Sequence, residues 1–178
     1  MDPRLISIAE QLWQAEQTGE PIAPVREQIA QVAPSSSSAD VVATAYAVQR
    51  INIQRKLQAG ERLVGRKIGL TSLVVQKQLG VDSPDFGMLL AGMAVGHGEE
   101  IAPARLLQPK VEAEIALVLE RDRVFEQNAV ADIISATAYA LPSIAVVGRR
   151  IANWDIRLSD TVVDNASSCL FVLGSRPV

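Results

Sequence analysis

Two residue types that build cross-links and metal cages are nearly missing from this 178-residue sequence: there is one cysteine, Cys169, and one histidine, His97. One cysteine rules out an intrachain disulfide, so a disulfide-stapled secreted domain is excluded and a reducing, cytoplasmic setting is expected. One histidine removes every site that needs two, the His-Glu-x-x-His zinc helix among them. No stretch reaches the roughly 18 consecutive apolar residues of a membrane span. Met1-Asp2-Pro3-Arg4 does not open a secretory leader, which needs a basic segment followed by an apolar one. Positive charge is not in excess: 17 Lys and Arg against 20 Asp and Glu give a net charge of −3, which argues against a nucleic-acid partner. The phosphate loop G-x-x-x-x-G-K-[ST], a G-x-G-x-x-G after a strand and the G-x-S-x-G elbow are all absent.

What is present is an ordinary globular composition, 48% hydrophobic and 21% charged, in a length that suits one domain or a small domain with an appendage. Leu5, Ile8, Leu12 and Trp13 recur at helical spacing over residues 3–18, with Gly19 as the stop and Pro21 and Pro24 beyond it. A short helix is expected over 25–32, and the serines at 35–38 read as a connector. A third helix is expected over 40–58, capped by Asp40 or Ser38 and ended by Gly60. Its wide apolar side, which includes Val41, Ala45, Val48 and Ile51, suits burial against more than one partner. From residue 62 the period changes to two. Residues 62–70 read as a strand with Val64 and Ile68 on one side and Leu63, Gly65, Lys67 and Gly69 on the other. Ser72 and Gly80 can bound a short helix, residues 82–87 are dense in turn formers, and 88–95 suit a short strand. Residues 111–119 are the clearest strand; the face of Val111, Ala113, Ile115, Leu117 and Leu119 is wholly apolar and is expected to pack on a core. A helix over 129–141, stopped by Pro142, and buried strands over 144–147 and 168–173 complete the pattern.

Several residues stand out chemically. Lys67 shares its strand face with two glycines, which leaves open space for another backbone or for a ligand. Glu112 and Glu114, two apart on a strand, put two carboxylates on one face, about 6–7 Å apart at the backbone. Such a pair can share a hard cation such as Mg²⁺ or Mn²⁺, or stand on a solvated face; Ala116 and Val118 beside it argue for a partly covered one. His97 lies among turn residues and reads as a solvated loop residue, and Cys169 reads as a small core residue within a strand.

Three segments together resemble the 2-keto-4-pentenoate hydratases and 4-oxalocrotonate decarboxylases of the fumarylacetoacetate hydrolase superfamily. They are Gly65-Arg66-Lys67-Ile68-Gly69-Leu70-Thr71-Ser72, Gly80-Val81-Asp82-Ser83-Pro84-Asp85-Phe86-Gly87 and Leu106-Leu107-Gln108-Pro109-Lys110-Val111-Glu112-Ala113-Glu114-Ile115-Ala116; Asp160-Thr161-Val162-Val163-Asp164-Asn165-Ala166-Ser167 continues the match. The resemblance implies an α+β fold: a helical N-terminal region over 1–61, then a β-rich catalytic-type domain over 62–178. That second part would be a mixed, rolled β-structure of the fumarylacetoacetate hydrolase type, incomplete at the C-terminus. It also implies a homo-oligomeric enzyme of aromatic meta-cleavage catabolism that adds water to 2-hydroxypenta-2,4-dienoate. Carried over by motif, Glu112 and Glu114 would be metal ligands for Mg²⁺ or Mn²⁺ and Lys67 would stabilise charge or move a proton. Asp85 would be an acid–base group, and Ser167 would bind the substrate carboxylate.

The sequence departs from the family pattern in three places. A third acidic ligand belongs in a Leu-Pro-x-x-Glu-Val-Val-Gly-like segment, but Leu141-Pro142-Ser143-Ile144-Ala145-Val146-Val147-Gly148 puts Ala145 there. Arg66 stands where an aromatic residue is common, and the chain stops where family members run on beyond the Gly174 region. Two alternatives to the hydratase follow: the related decarboxylase, and a non-catalytic relative kept for binding or assembly.

Overall fold

The computed structural model describes residues 2–121 and 129–178. Helix α1 (Pro3–Thr18) starts where Asp2 accepts a hydrogen bond from the Arg4 amide at 2.9 Å and Pro3 occupies the first turn. It stops at Gly19, whose φ of +72° suits a residue without a Cβ. Helix α3 (Ser38–Gln58) is capped by Ser37, which accepts from the Asp40 amide, so the serine run does more than connect.

Helix α2 (Arg26–Val32) has no capping side chain of its own. Its first amides are met from the other end of the chain. Asp160 Oδ1 accepts from the Val25 and Arg26 amides at 3.1 and 3.0 Å, and Oδ2 accepts from the Arg157 amide and the Arg26 guanidinium, both at 3.0 Å. Asp160 is fully buried on α6 (Leu158–Val163), so one carboxylate fastens the starts of two helices. Around it α1, α2, α3 and α6 close a core of Ile8, Leu12, Val25, Ile29, Val48 and Val162. The wide apolar side of α3 is met by α1, α2 and α6 of the same chain.

The β-structure forms two sheets. Strands β1 (Leu63–Gly69) and β2 (Asp85–Leu90) pair antiparallel, joined through α4 (Leu73–Leu79), which Ser72 caps and Gly80 ends. Asp85, Phe86 and Gly87 therefore lie in a strand, not in the turn that their residue types suggest; pairing with β1 overrides local turn preference. Residues 88–95 divide between the end of β2, a 3₁₀ turn and the short β3 (Ala94–Val95). The second sheet is four-stranded and mixed, in the order β3, β6 (Ser168–Leu173), β5 (Thr137–Val147), β4 (Lys110–Leu119), with only the β3–β6 pair parallel.

Two expectations are overturned in this sheet. The helix expected over 129–141 is the shorter α5 (Val130–Ala136), and from Thr137 the chain runs as β5. The apolar spacing is compatible with either state, and the long antiparallel partner β4 decides it. Pro142 is tolerated inside β5 because its carbonyl accepts from Gly174 at 2.8 Å, just past the end of β6, so its missing N–H faces a point where the neighbouring strand has stopped. The apolar face of β4 is grouped as expected, but it is not covered: Val111 is 68% and Ile115 64% exposed, and no described segment lies over them. No helix among the described residues is long and apolar enough to cross a membrane.

Because Asp160 satisfies three backbone amides and a guanidinium at once, Asp160→Ala is expected to cost about 3 kcal/mol or more. The check is the shift in urea unfolding midpoint at unchanged m-value, against a surface Asp→Ala control.

Candidate active site

The site is built where β1 and β2 meet the exposed edge of the four-stranded sheet. Strand alternation points Gly65, Lys67 and Gly69 to one side, as expected, but the space beside them is not all empty. Gly69 pairs with Asp85, and a Cβ on Gly69 would lie 2.2 Å from Asp85 Oδ1 and 3.7 Å from Lys67 Nζ. The missing side chain of Gly69 is thus filled by the Asp85 carboxyl group, next to the lysine amine. Across from Lys67, Gly87 has no room for a Cβ either: it would meet the Asn165 carbonyl oxygen at 2.4 Å and Ser168 Oγ at 2.5 Å.

Lys67 reaches from the first sheet to the second. Its Nζ donates to Glu112 Oε2 at 2.9 Å, with the lysine side chain 11% and the glutamate 47% exposed. Glu112 and Glu114 lie on one face of β4, where they pair with Ala145 and Ser143 of β5; Phe171 of β6 continues the row beyond Ala145. Ala145 therefore stands directly beside Glu112, at the place where the family resemblance calls for a third carboxylate. Among the described residues no three His, Cys, Asp or Glu side chains gather as a metal cage. Two carboxylates on one face still fit a hard divalent cation that keeps water or substrate oxygens in its remaining positions, as Mg²⁺ commonly does.

Asp85 is 1% exposed and its Oδ2 has no hydrogen-bond partner among the described residues. Burial pushes its carboxyl above the ordinary aspartate value; Lys67 and Arg149 oppose that shift without cancelling it, and Glu112 adds to it. Ser167 closes a 3₁₀ turn (Asn165–Ser167) at φ +59°, buried, with its carbonyl accepting from the Gly148 amide at 2.9 Å. Lys67, Asp85 and Glu112 are thus brought into one cluster, Glu114 lies beside Glu112 on the same face, and Ser167 lies in the turn that packs on Gly87. His97 is exposed in a loop. Cys169 is half-buried in β6, and burial pushes its thiol up, which makes it unreactive.

The groups that hold Asp85 in place are not evident from sequence. The outer edge of β2 has side chains where a third strand would be. Tyr46 Oη accepts from the Phe86 amide at 3.0 Å, Gln49 donates to the Phe86 and Val162 carbonyls, and Asn165 both accepts from and donates to the Met88 backbone at 2.7 and 2.9 Å. The one available signal is Gln49, a polar residue set among Ala45, Val48 and Ile53 on the buried side of α3. Arg149 is likewise not marked by any motif; its one signal is that two arginines directly follow a buried strand.

No family model matches the chain. A 2-keto-4-pentenoate hydratase of Burkholderia vietnamiensis strain G4 is 57% identical over 99% of this chain, which spans 64% of that relative. A 2-hydroxypent-2,4-dienoate hydratase of Pseudomonas putida is 40% identical over all of this chain and 78% of its own length. Among solved structures, a 4-oxalocrotonate decarboxylase from Pseudomonas putida G7, complexed with magnesium and adipate, is similar with a TM-score of 0.87 and 31% identity, over 99% of this chain and 64% of that one.

The raised pKa of Asp85 sets a sign for stability against pH. The folded protein keeps a proton that the unfolded chain releases, so this group lowers stability as pH rises from the ordinary aspartate value to the raised one. Asp85→Asn is expected to remove that slope and to be more stable than the parent at pH 7. Urea unfolding of both proteins over pH 4–8 checks it, and a parent that gains on the variant as pH rises would have the wrong sign. Gly69→Ala is expected to displace the carboxyl group and cost about 1–3 kcal/mol by overpacking, read in the same assay.

Proposed function

The chain belongs to the 2-keto-4-pentenoate hydratase family, and from that premise we propose that it takes part in adding water to 2-hydroxypenta-2,4-dienoate to give 4-hydroxy-2-oxopentanoate. The observation that carries this reading is the buried Asp85 carboxyl group beside Lys67, with Lys67 Nζ 2.9 Å from Glu112. Hydration of a dienol requires a proton to leave the 2-hydroxyl and others to be delivered to and taken from carbon and water. A buried carboxyl group with a pKa raised above the ordinary aspartate value holds its proton more readily and can exchange it with substrate. In this reading Asp85 is the proton carrier, and Lys67 faces the substrate oxygen on which negative charge grows and holds it. Ser167 donates to the substrate carboxylate.

Glu112 and Glu114 would hold the divalent ion. When bound, the ion supplies Lewis-acid polarisation of the substrate's 2-oxygen. Magnesium in the solved decarboxylase supports a divalent ion, and the oxygen-only donors here suit Mg²⁺ or Mn²⁺. Ala145 leaves the pair without a third carboxylate and weakens the hold on the ion. In the same reading the protein is a homo-oligomer that works in the cytoplasm. A decarboxylase is the second reading, favoured by the likeness to the solved decarboxylase. The chain spans less than two thirds of the first relative's length, so it need not hold every part that the reaction uses.

The test is loss of dienoate absorbance with Mg²⁺ or Mn²⁺, alongside carbon dioxide release from 2-oxohex-3-enedioate. Water addition is expected, and Asp85→Asn should lower kcat by about 10²–10⁴. Carbon dioxide release alone would favour the decarboxylase; no metal-dependent turnover of either compound would leave the non-catalytic relative. In a separate titration, Glu112→Gln or Glu114→Gln is expected to weaken Mn²⁺ binding at least about tenfold, since each removes a full charge from a hard cation. Ala145→Glu is expected to strengthen it.

A further inference from the structure

Arg149 follows β5 and is 3% exposed, yet among the described residues its charge is not paired. Nη1 and Nη2 each lie 3.5 Å from Thr161 Oγ1, a long contact, and Nε is buried with no hydrogen-bond partner. The guanidinium lies 5.1 Å from the Trp154 ring, and no carboxylate among the described residues forms an ion pair with it. The nearby Asp164 is already engaged: its carboxylate accepts from the Arg150 amide and Nε, and its carbonyl from Arg150 Nη2 at 2.8 Å. On β5 itself, Ala145 offers no compensating carboxylate. Arginine does not give up its proton inside proteins, so the charge stays and a buried cation is left without a counter-anion among the described residues.

The surroundings hold that cation still and close to the site. The Gln108 side chain donates to the Arg149 and Ile151 carbonyls at 3.0 and 2.9 Å and accepts from the Asn153 amide at 2.9 Å. Asn153 and Trp154 both adopt positive φ to complete the turn, which brings the Trp154 ring under the guanidinium. Arg149 acts electrostatically on Asp85, as Lys67 does. Gly148, its neighbour, donates to the Ser167 carbonyl, so Arg149 leaves the sheet beside the turn that carries Ser167.

We propose that Arg149 is a carboxylate-binding residue of this site, its unpaired guanidinium taking the carboxylate of a 2-oxo acid. The proposal rests on the functional reading above and adds a specificity residue to it. A planar fork with a free Nε and weakly engaged Nη atoms matches a carboxylate in two parallel hydrogen bonds. The turn that carries it is fixed by the Gln108 side chain, as a preorganised binding group requires.

The experiment is calorimetric titration with 2-oxopentanoate, and with the neutral 2-pentanone as control, in EDTA and again with Mn²⁺. The parent protein is expected to bind the acid and not the ketone. Arg149→Met and Arg149→Gln should each weaken binding of the acid at least about tenfold, and Arg149→Lys should restore part of the loss. Mn²⁺ affinity, read by electron paramagnetic resonance, should not weaken in any of them. Without ligand, Arg149→Met should melt above the parent, because the unpaired buried charge is gone; an arginine with only a structural role would melt lower on removal. Arg149→Gln keeps a donor for Thr161, so it decides the matter if the Met variant does not fold. Binding that Arg149→Gln leaves intact overturns this inference and leaves the functional reading standing. Failure of the parent to bind 2-oxopentanoate, with or without Mn²⁺, overturns both.

Discussion

A carboxyl group pressed into the space left by a glycine organises the centre of this protein. Asp85 fills the place of a side chain at Gly69, out of water and beside the amine of Lys67. Burial raises its pKa, and the two cations that act on it, Lys67 and Arg149, moderate that rise. Lys67 in turn spans to Glu112 on the four-stranded sheet, so the same amine that neighbours the buried Asp85 also neighbours the Glu112 and Glu114 pair. The proton carrier and the cation site proposed above thus lie on either side of one side chain.

That arrangement depends on β2 staying in place, and β2 is half of a two-stranded sheet. Its free edge is held by Tyr46 and Gln49 from α3 and by Asn165 from the turn before β6. The position of α3 relative to that turn follows from the helical bundle, in which Asp160 ties α6 to α2. A buried carboxylate well supplied with donors, Asp160, stabilises the scaffold; Asp85, with one oxygen unpartnered among the described residues, is the one proposed to handle protons. The difference between the two is in their hydrogen bonds, not in their burial.

The parts of the fold legible in the sequence are those set by neighbours in the chain. Helix ends at Gly19, Ser72 and Gly80 follow from backbone chemistry that residue type reveals. The placing of Glu112 and Glu114 on one face follows from strand alternation alone, and Ala145 beside Glu112 agrees with the position that the family motif assigns to it. What local pattern could not reveal is pairing and covering. Residues 137–141 carry a helical spacing and form a strand because β4 is there to pair with them. Val111 and Ile115 form an apolar face whether or not anything lies on it, so periodicity identified the face and not its exposure. Arg149 belongs with these: its lack of an ion-pair partner among the described residues depends on where carboxylates distant in the chain are placed.

The most direct test of the central claim is a titration of the Asp85 carboxyl carbon by ¹³C nuclear magnetic resonance, in the parent and in Lys67→Met. A midpoint above the ordinary aspartate value in the parent, moving higher when the lysine charge is removed, is the expected result. A midpoint at or below the ordinary value, or one indifferent to Lys67, would contradict the account of Asp85 as a buried proton carrier beside Lys67.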